Sequence, residues 1–198
     1  MSLVPVFQIG IWNAWIFMIW PWVDMLAIRL VGLDVYRRAS GLPSEMKTSH
    51  RYRVVSYVSM AVDIMAVAYS IFLPLQLGKI WFSAGLAVFL AGLVVLTAAT
   101  VSFATTPMDI PITRGIYHYS RHPLYLAVLL IYFSVGIASA SWVFLLFFVV
   151  QSVFIKIAAV GEERYCLEKY GDAYREYMNR TPRWIGMPKS RGSNQQAM

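Results

Sequence analysis

Apolar runs of helix length, set between short polar segments, constrain this chain more than any other feature. Val6–Leu30, Val54–Leu77 and Ile80–Phe103 each offer the ~20 residues a helix needs to cross ~30 Å of hydrocarbon. Two further runs follow, a short one at Leu124–Ala138 and a longer one at Trp142–Val160. The segment Gly136-Ile-Ala-Ser-Ala-Ser-Trp142 between them reads as a tight turn, whose small residues let two helices pack as a hairpin. Charged residues make up 14% of the chain, against about 25% in soluble domains. The expectation is an all-α integral membrane protein with about five transmembrane helices, a C-terminal helical hairpin and a short cytoplasmic helical tail.

The basic residues set the orientation. Fourteen of the 17 Lys and Arg fall in residues 31–53, 104–123 and the C-terminal tail, which share one side if five spans are counted. That asymmetry predicts an outside N-terminus and a cytoplasmic C-terminus, in the cell membrane of a prokaryote or the endoplasmic reticulum of a eukaryote. Orientation and anionic lipid account for the net charge of +7, so no nucleic-acid partner is expected. The first residues lack the basic start of a secretory signal, and the first run is read as a retained span. Cys166 stands alone, outside any disulfide or metal-binding pattern.

Three parts are expected. Residues 1–103 hold three helices; residues 104–187 hold a loop, the hairpin and the tail helices; residues 188–198 are a polar, disordered tail. After Val160, two short amphipathic helices are predicted, with Gly171 stopping one and Asp172 capping the next. Asp24 and Asp63 lie within spans, where a carboxylate must face the bundle interior. The preferred reading for each is an interhelical hydrogen bond, the alternative a substrate or proton site. Lys156 is read as reaching back to the interface. Trp12, Trp15, Trp20 and Trp22 crowd the first span as an aromatic belt.

Between two lipid-seeking runs the chain gathers Arg114, Tyr117, His118, Tyr119, Arg121, His122 and Tyr125. Buried polar groups cost several kcal/mol without partners, so such a cluster implies a polar ligand. Pro123 favours a helix start, and the free amides there attract anions, as do Arg121 and His122. Glu162 and Glu163 fall at the far end of the fifth run, where the helix dipole disfavours negative charge. They make more sense accepting hydrogen bonds from ribose hydroxyls or an ammonium; the alternative is an exposed acidic pair bonding Arg164 or Arg121. The hairpin brings both clusters to one membrane face.

The run Arg114-Gly-Ile-Tyr117, then Arg121-His-Pro-Leu-Tyr125, a hairpin, Glu162-Glu163 and Tyr170-Gly-Asp-Ala-Tyr-Arg-Glu-Tyr177 resembles the isoprenylcysteine carboxyl methyltransferase and phospholipid methyltransferase group. The resemblance covers about Pro111 to Trp184. It implies S-adenosylmethionine, with S-adenosylhomocysteine as product, contacted by Tyr117, Arg121, His122, Pro123, Leu124, Tyr125, Glu162 and Glu163. A weaker likeness extends to Asp109–Ile112. Ala158 replaces an arginine that engages the carboxylate substrate in the isoprenylcysteine enzymes, which argues against a prenylcysteine carboxylate here. The expected partners are membrane lipids and a lipophilic or lipidated methyl acceptor. His122 and His118 are the candidate bases if the nucleophile arrives protonated. The rival readings are an NADPH-dependent membrane reductase of the sterol-reductase kind and a non-enzymatic scaffold.

Overall fold

A computed structural model describes residues 7–32, 50–107 and 109–188, with side chains 31 and 50–53 excepted. The elements in order are α1 (Trp15–Met18), α2 (Trp20–Val31), α3 (His50–Ile71), α4 (Ile80–Thr105), a 3-10 turn (Gly115–His118), α5 (Pro123–Ala138), α6 (Trp142–Tyr170) and α7 (Asp172–Arg180). Strand pairing among the described residues is limited to one antiparallel bridge, Asn13 with Pro74. All but residue 188 of the expected 188–198 tail, and most of the 31–53 loop, lie outside the described residues.

Among the described residues three helices are long and apolar enough to cross a membrane: Val54–Ile71 within α3, all of α4, and α6. Only 17%, 28% and 22% of their apolar windows are buried inside the protein, so most of their apolar surface needs lipid as its solvent. This is an all-α integral membrane protein. The fourth expected span is the shorter α5, whose 16 residues reach about 24 Å.

The first expected span is divided. Residues 7–14 are not helical, and α2 is a 12-residue helix that starts at Trp20. Pro21 is the reason: without an N–H and with fixed φ, proline is tolerated in a helix's first turn but not in its interior. Asn13 secures the entering segment, donating from its amide to Ile71 O at 2.7 Å. Trp12, Trp20 and Trp22 point outward, in keeping with a belt.

The hairpin is made as its small residues suggest. A Cβ on Gly136 would strike the Leu145 side chain, and one on Gly85 would strike the Ala138 backbone, so α5 lies close to both α6 and α4. Ser141 caps α6, its hydroxyl accepting from Phe144 N–H at 3.2 Å. Phe17 stacks on Phe89 at 4.1 Å, and Leu96, Ile131, Val135 and Phe144 complete the core. Polar links tie the spans together. Tyr132 donates to Asp63, and Gln151 donates to Ser59 at 3.1 Å.

The expected break after Val160 does not occur. α6 runs unbroken for 29 residues, through Glu162 and Glu163 to Tyr170. A lone glycine such as Gly161 costs a helix about 1 kcal/mol, too little to end one already packed. The stop comes at Gly171, whose φ of 55° suits glycine. Asp172 does not cap α7; Gly171 occupies that position, and Asp172 is the first helical residue, favourable to the dipole.

Candidate functional site

The chain between α4 and α5 turns back over the bundle, and Gly115 makes this possible. Its φ is 62°, and its bare Cα faces the Ser102 side chain, where a Cβ would collide. The 3-10 turn that follows buries Tyr117. His122 then takes the position just before α5, its N–H donating to Ser120 Oγ at 3.1 Å.

His122 is 4% exposed and reaches both acids of α6. Its Nδ1 lies 3.4 Å from Glu162 Oε2, and its Nε2 lies 3.2 Å from Glu163 Oε1. Burial opposes protonation of the ring, but hydrogen bonds and charge from Glu162 and Glu163 outweigh it and hold the His122 pKa above its usual value. The Tyr125 ring stacks on His122 at 5.4 Å, and Trp184 approaches the same ring at 6.0 Å.

The two glutamates have different surroundings. Glu163 is 3% exposed and surrounded by cations. Arg183 holds it in a two-pronged grip, Nε to Oε1 at 3.0 Å and Nη2 to Oε2 at 2.6 Å, and Arg121 Nη2 stands 3.2 Å from Oε1. Glu162 keeps a quarter of its side chain open, 26%, and faces a cavity of about 240 Å³. The upper wall of that cavity is Tyr117, Arg121, His122, Leu124, Tyr125 and Glu162. Its lower wall comes from α2 and α4, including Asp24, Met25, Ile28, Leu96, Thr100 and Phe103.

The tail straps this arrangement down. Tyr177 donates its hydroxyl to Tyr117 O at 2.7 Å, Arg121 N–H donates to Pro182 O at 3.1 Å, and Gly186 N–H donates to Tyr119 O at 3.2 Å. These bonds deliver Arg183 and Trp184 to the site.

The structure thus brings together Tyr117, Arg121, His122, Leu124, Tyr125 and Glu162. Pro123 is fully buried behind them, and Glu163 backs His122 rather than lining the cavity. His118 is elsewhere. It is exposed on the 3-10 turn and borders a separate surface cleft with Ile110, Pro111, Arg114 and Arg180. That cleft also takes in part of the Asp109–Ile112 stretch. His122, the other candidate base, has both ring nitrogens facing carboxylates. Sequence reasoning missed Arg183, Trp184 and Ser120, and had Tyr177 in its motif without a role. A buried Glu163 demands cations, but Arg175, Arg180 and Arg183 are equivalent candidates until the strap is seen.

A family model described as phospholipid methyltransferase matches residues 73–173, just over half of the chain. The chain belongs to this family. The phospholipid methyltransferase match contains α4, α5 and α6, and so the whole upper wall of the cavity; α2 and the strap beyond residue 173 lie outside it. The chain is also similar to Methanethiol S-methyltransferase 1 of Bradyrhizobium diazoefficiens, at 31% identity over 78 residues. That alignment covers 39% of this chain and 27% of the relative, so the chain spans about a quarter of the length of the curated relative it matches.

Proposed function

We propose that this protein transfers a methyl group from S-adenosylmethionine to a lipophilic acceptor that enters from the bilayer, with the reaction at the cytoplasmic interface. The observation that carries this reading is the cavity at the mouth of the α5–α6 hairpin. There Glu162, Arg121, Tyr117 and Tyr125 converge above an apolar wall. The residues suit the cofactor's groups. Glu162 can accept from an ammonium or ribose hydroxyl. Arg121 Nε, buried without a partner among the described residues, can donate to a carboxylate. Tyrosine ring faces attract a sulfonium, and Leu96, Phe103 and Val128 offer apolar surface.

When bound, the cofactor supplies an electrophilic methyl with a neutral thioether as leaving group. The protein's share is alignment and exclusion of water, worth up to about 7–11 kcal/mol in well-oriented systems. His122 fixes the Glu162 carboxylate, and Glu163, Arg121 and Arg183 fix His122. The reductase reading needs several free cations for a 2′-phosphate. Arg183 grips Glu163 through two nitrogens and Arg121 meets it through Nη2, so Arg121 Nε is a single spare donor where several cations are needed, which weighs against it.

The test is the melting temperature of detergent-purified protein with S-adenosylhomocysteine and, separately, NADPH. At 100 times its Kd, a ligand contributes about 2.7 kcal/mol. A rise with S-adenosylhomocysteine, absent in Glu162→Ala, is expected. A rise with NADPH alone would overturn the proposal.

A further inference from the structure

Asp24 satisfies the interhelical reading, since Thr100 Oγ1 donates to its Oδ2 at 2.6 Å and links α4 to α2. That bond does not exhaust it. An ionised carboxylate offers about four acceptor sites, and one hydroxyl fills one of them. Asp24 and Thr100 line the same cavity as Glu162, His122 and Tyr125, but are supplied by α2 and α4. The other lining residues from these two helices are Pro21, Met25, Ile28, Leu96 and Phe103, all apolar. An acidic group set among apolar side chains, in one cavity with the proposed cofactor residues, is placed to meet the polar head of a molecule whose tail lies along those side chains.

The charges of the cavity limit what that head can be. Arg121 and His122, the basic groups in its lining, are both turned to Glu163, and His122 also to Glu162. Asp24 and Glu162 face the space itself. At Asp24 the cavity therefore rewards N–H or O–H donors and disfavours an anion, while Arg121 Nε, without a partner among the described residues, is left for the carboxylate of the cofactor. We infer that Asp24, held by Thr100, is the acceptor-recognition residue, and that it selects a lipophilic molecule with a hydrogen-bond-donating head, an amine or an alcohol, over one with a carboxylate. This rests on the methyltransferase reading, because it assigns the residues around Glu162 to the cofactor. It gives α2, outside the family match, a specific role.

Three ligands with one tail isolate the head: tritiated oleylamine, oleyl alcohol and oleic acid. Their binding to the purified protein in nanodiscs is measured by scintillation proximity with S-adenosylhomocysteine present. The parent is expected to bind the amine or the alcohol at least about tenfold more tightly than the acid, and Asp24→Ala to lose that preference. Asp24→Asn separates the two heads: the amide still accepts from a hydroxyl, so alcohol binding survives, whereas preference for an ammonium falls with the charge. The melting rise with S-adenosylhomocysteine should persist in both variants, showing a folded protein with an intact cofactor wall. Equal binding of the three ligands by the parent, or an unchanged preference in Asp24→Ala, overturns the inference. Failure of S-adenosylhomocysteine to stabilise the parent would instead remove the methyltransferase reading beneath it.

Discussion

Replacing Glu163 with glutamine keeps the shape of the side chain and removes the charge on which the strap depends. Three basic side chains surround that carboxylate, but they do not lose equally. Arg183 is 35% exposed, so water can solvate it once released, whereas Arg121 is 9% exposed and cannot be rehydrated in place. Removing one partner of a buried ion pair costs about 3–5 kcal/mol, most of it from the charge left behind. His122 is as buried but keeps Glu162 as a partner, so only Arg121 is stranded and the expected loss is at the lower end, about 3 kcal/mol. In a chain of this length, each kcal/mol moves the melting temperature by about 2–4 °C, giving a fall of about 6–12 °C. Tryptophan fluorescence in detergent can follow the transition. Adding Arg121→Met removes the stranded cation, and the double variant should regain about half of the loss. A Glu163→Gln protein that melts within about 2 °C of the parent, or a double variant that recovers nothing, would refute the claim that this charge network fixes the site.

His122 gives the site a pH dependence. Its pKa is raised on folding, so its stabilising contribution is complete below about 6.5, the unfolded value, and fades as pH rises through the folded value. The melting temperature should decline across the neutral to mildly alkaline range, and a His122→Asn variant should lose that slope. Gly115→Ala forces a side chain into the left-handed region against Ser102, at a cost of about 1–3 kcal/mol. Because the strain sits in the segment that carries Tyr117, its S-adenosylhomocysteine affinity should drop as well, with partial recovery on adding Ser102→Gly. Gly85→Val should separate α4 from α5 at the Ala138 contact and cost at least the upper end of the usual overpacking range, about 1–3 kcal/mol. Melting curves check each of these, and an unchanged curve would count against the close approach.

The parts of the fold legible in the sequence are those set by local physics. Pro123 does open α5, Gly171 does end α6, and the small residues around Gly136 do close the hairpin, because each acts through its own backbone or its nearest neighbours. The division at Pro21 was equally local, but the apolar composition of Val6–Leu30 hides it. The site was half legible. Tyr117, His122, Tyr125 and Glu162 lie near one another in two short motifs, and hairpin geometry alone brings these motifs together. Arg183 depends on a strap of backbone bonds between residues about sixty apart, such as Arg121 to Pro182, which no periodicity announces. Asp24 was visible as an oddity, but its wall of the cavity exists only once α2 is seated against α4.

The unbroken course of α6 links the site to the thickness of the bilayer. Trp142 to Val160 spans about 28 Å at 1.5 Å per residue, close to the ~30 Å hydrocarbon depth of a typical membrane. Glu162 follows within a single turn, on the same rigid rod. With no joint between the anchored and the charged parts of α6, a thicker bilayer pulls the acidic pair toward hydrocarbon unless the helix stands more upright, and a thinner one tilts it or lifts the pair clear. The short α5 meets the same change with about 24 Å of its own. The meeting point of His122 and Glu162 thus registers the difference between two helices of unequal length, and acyl-chain length becomes a variable acting on the site without touching it.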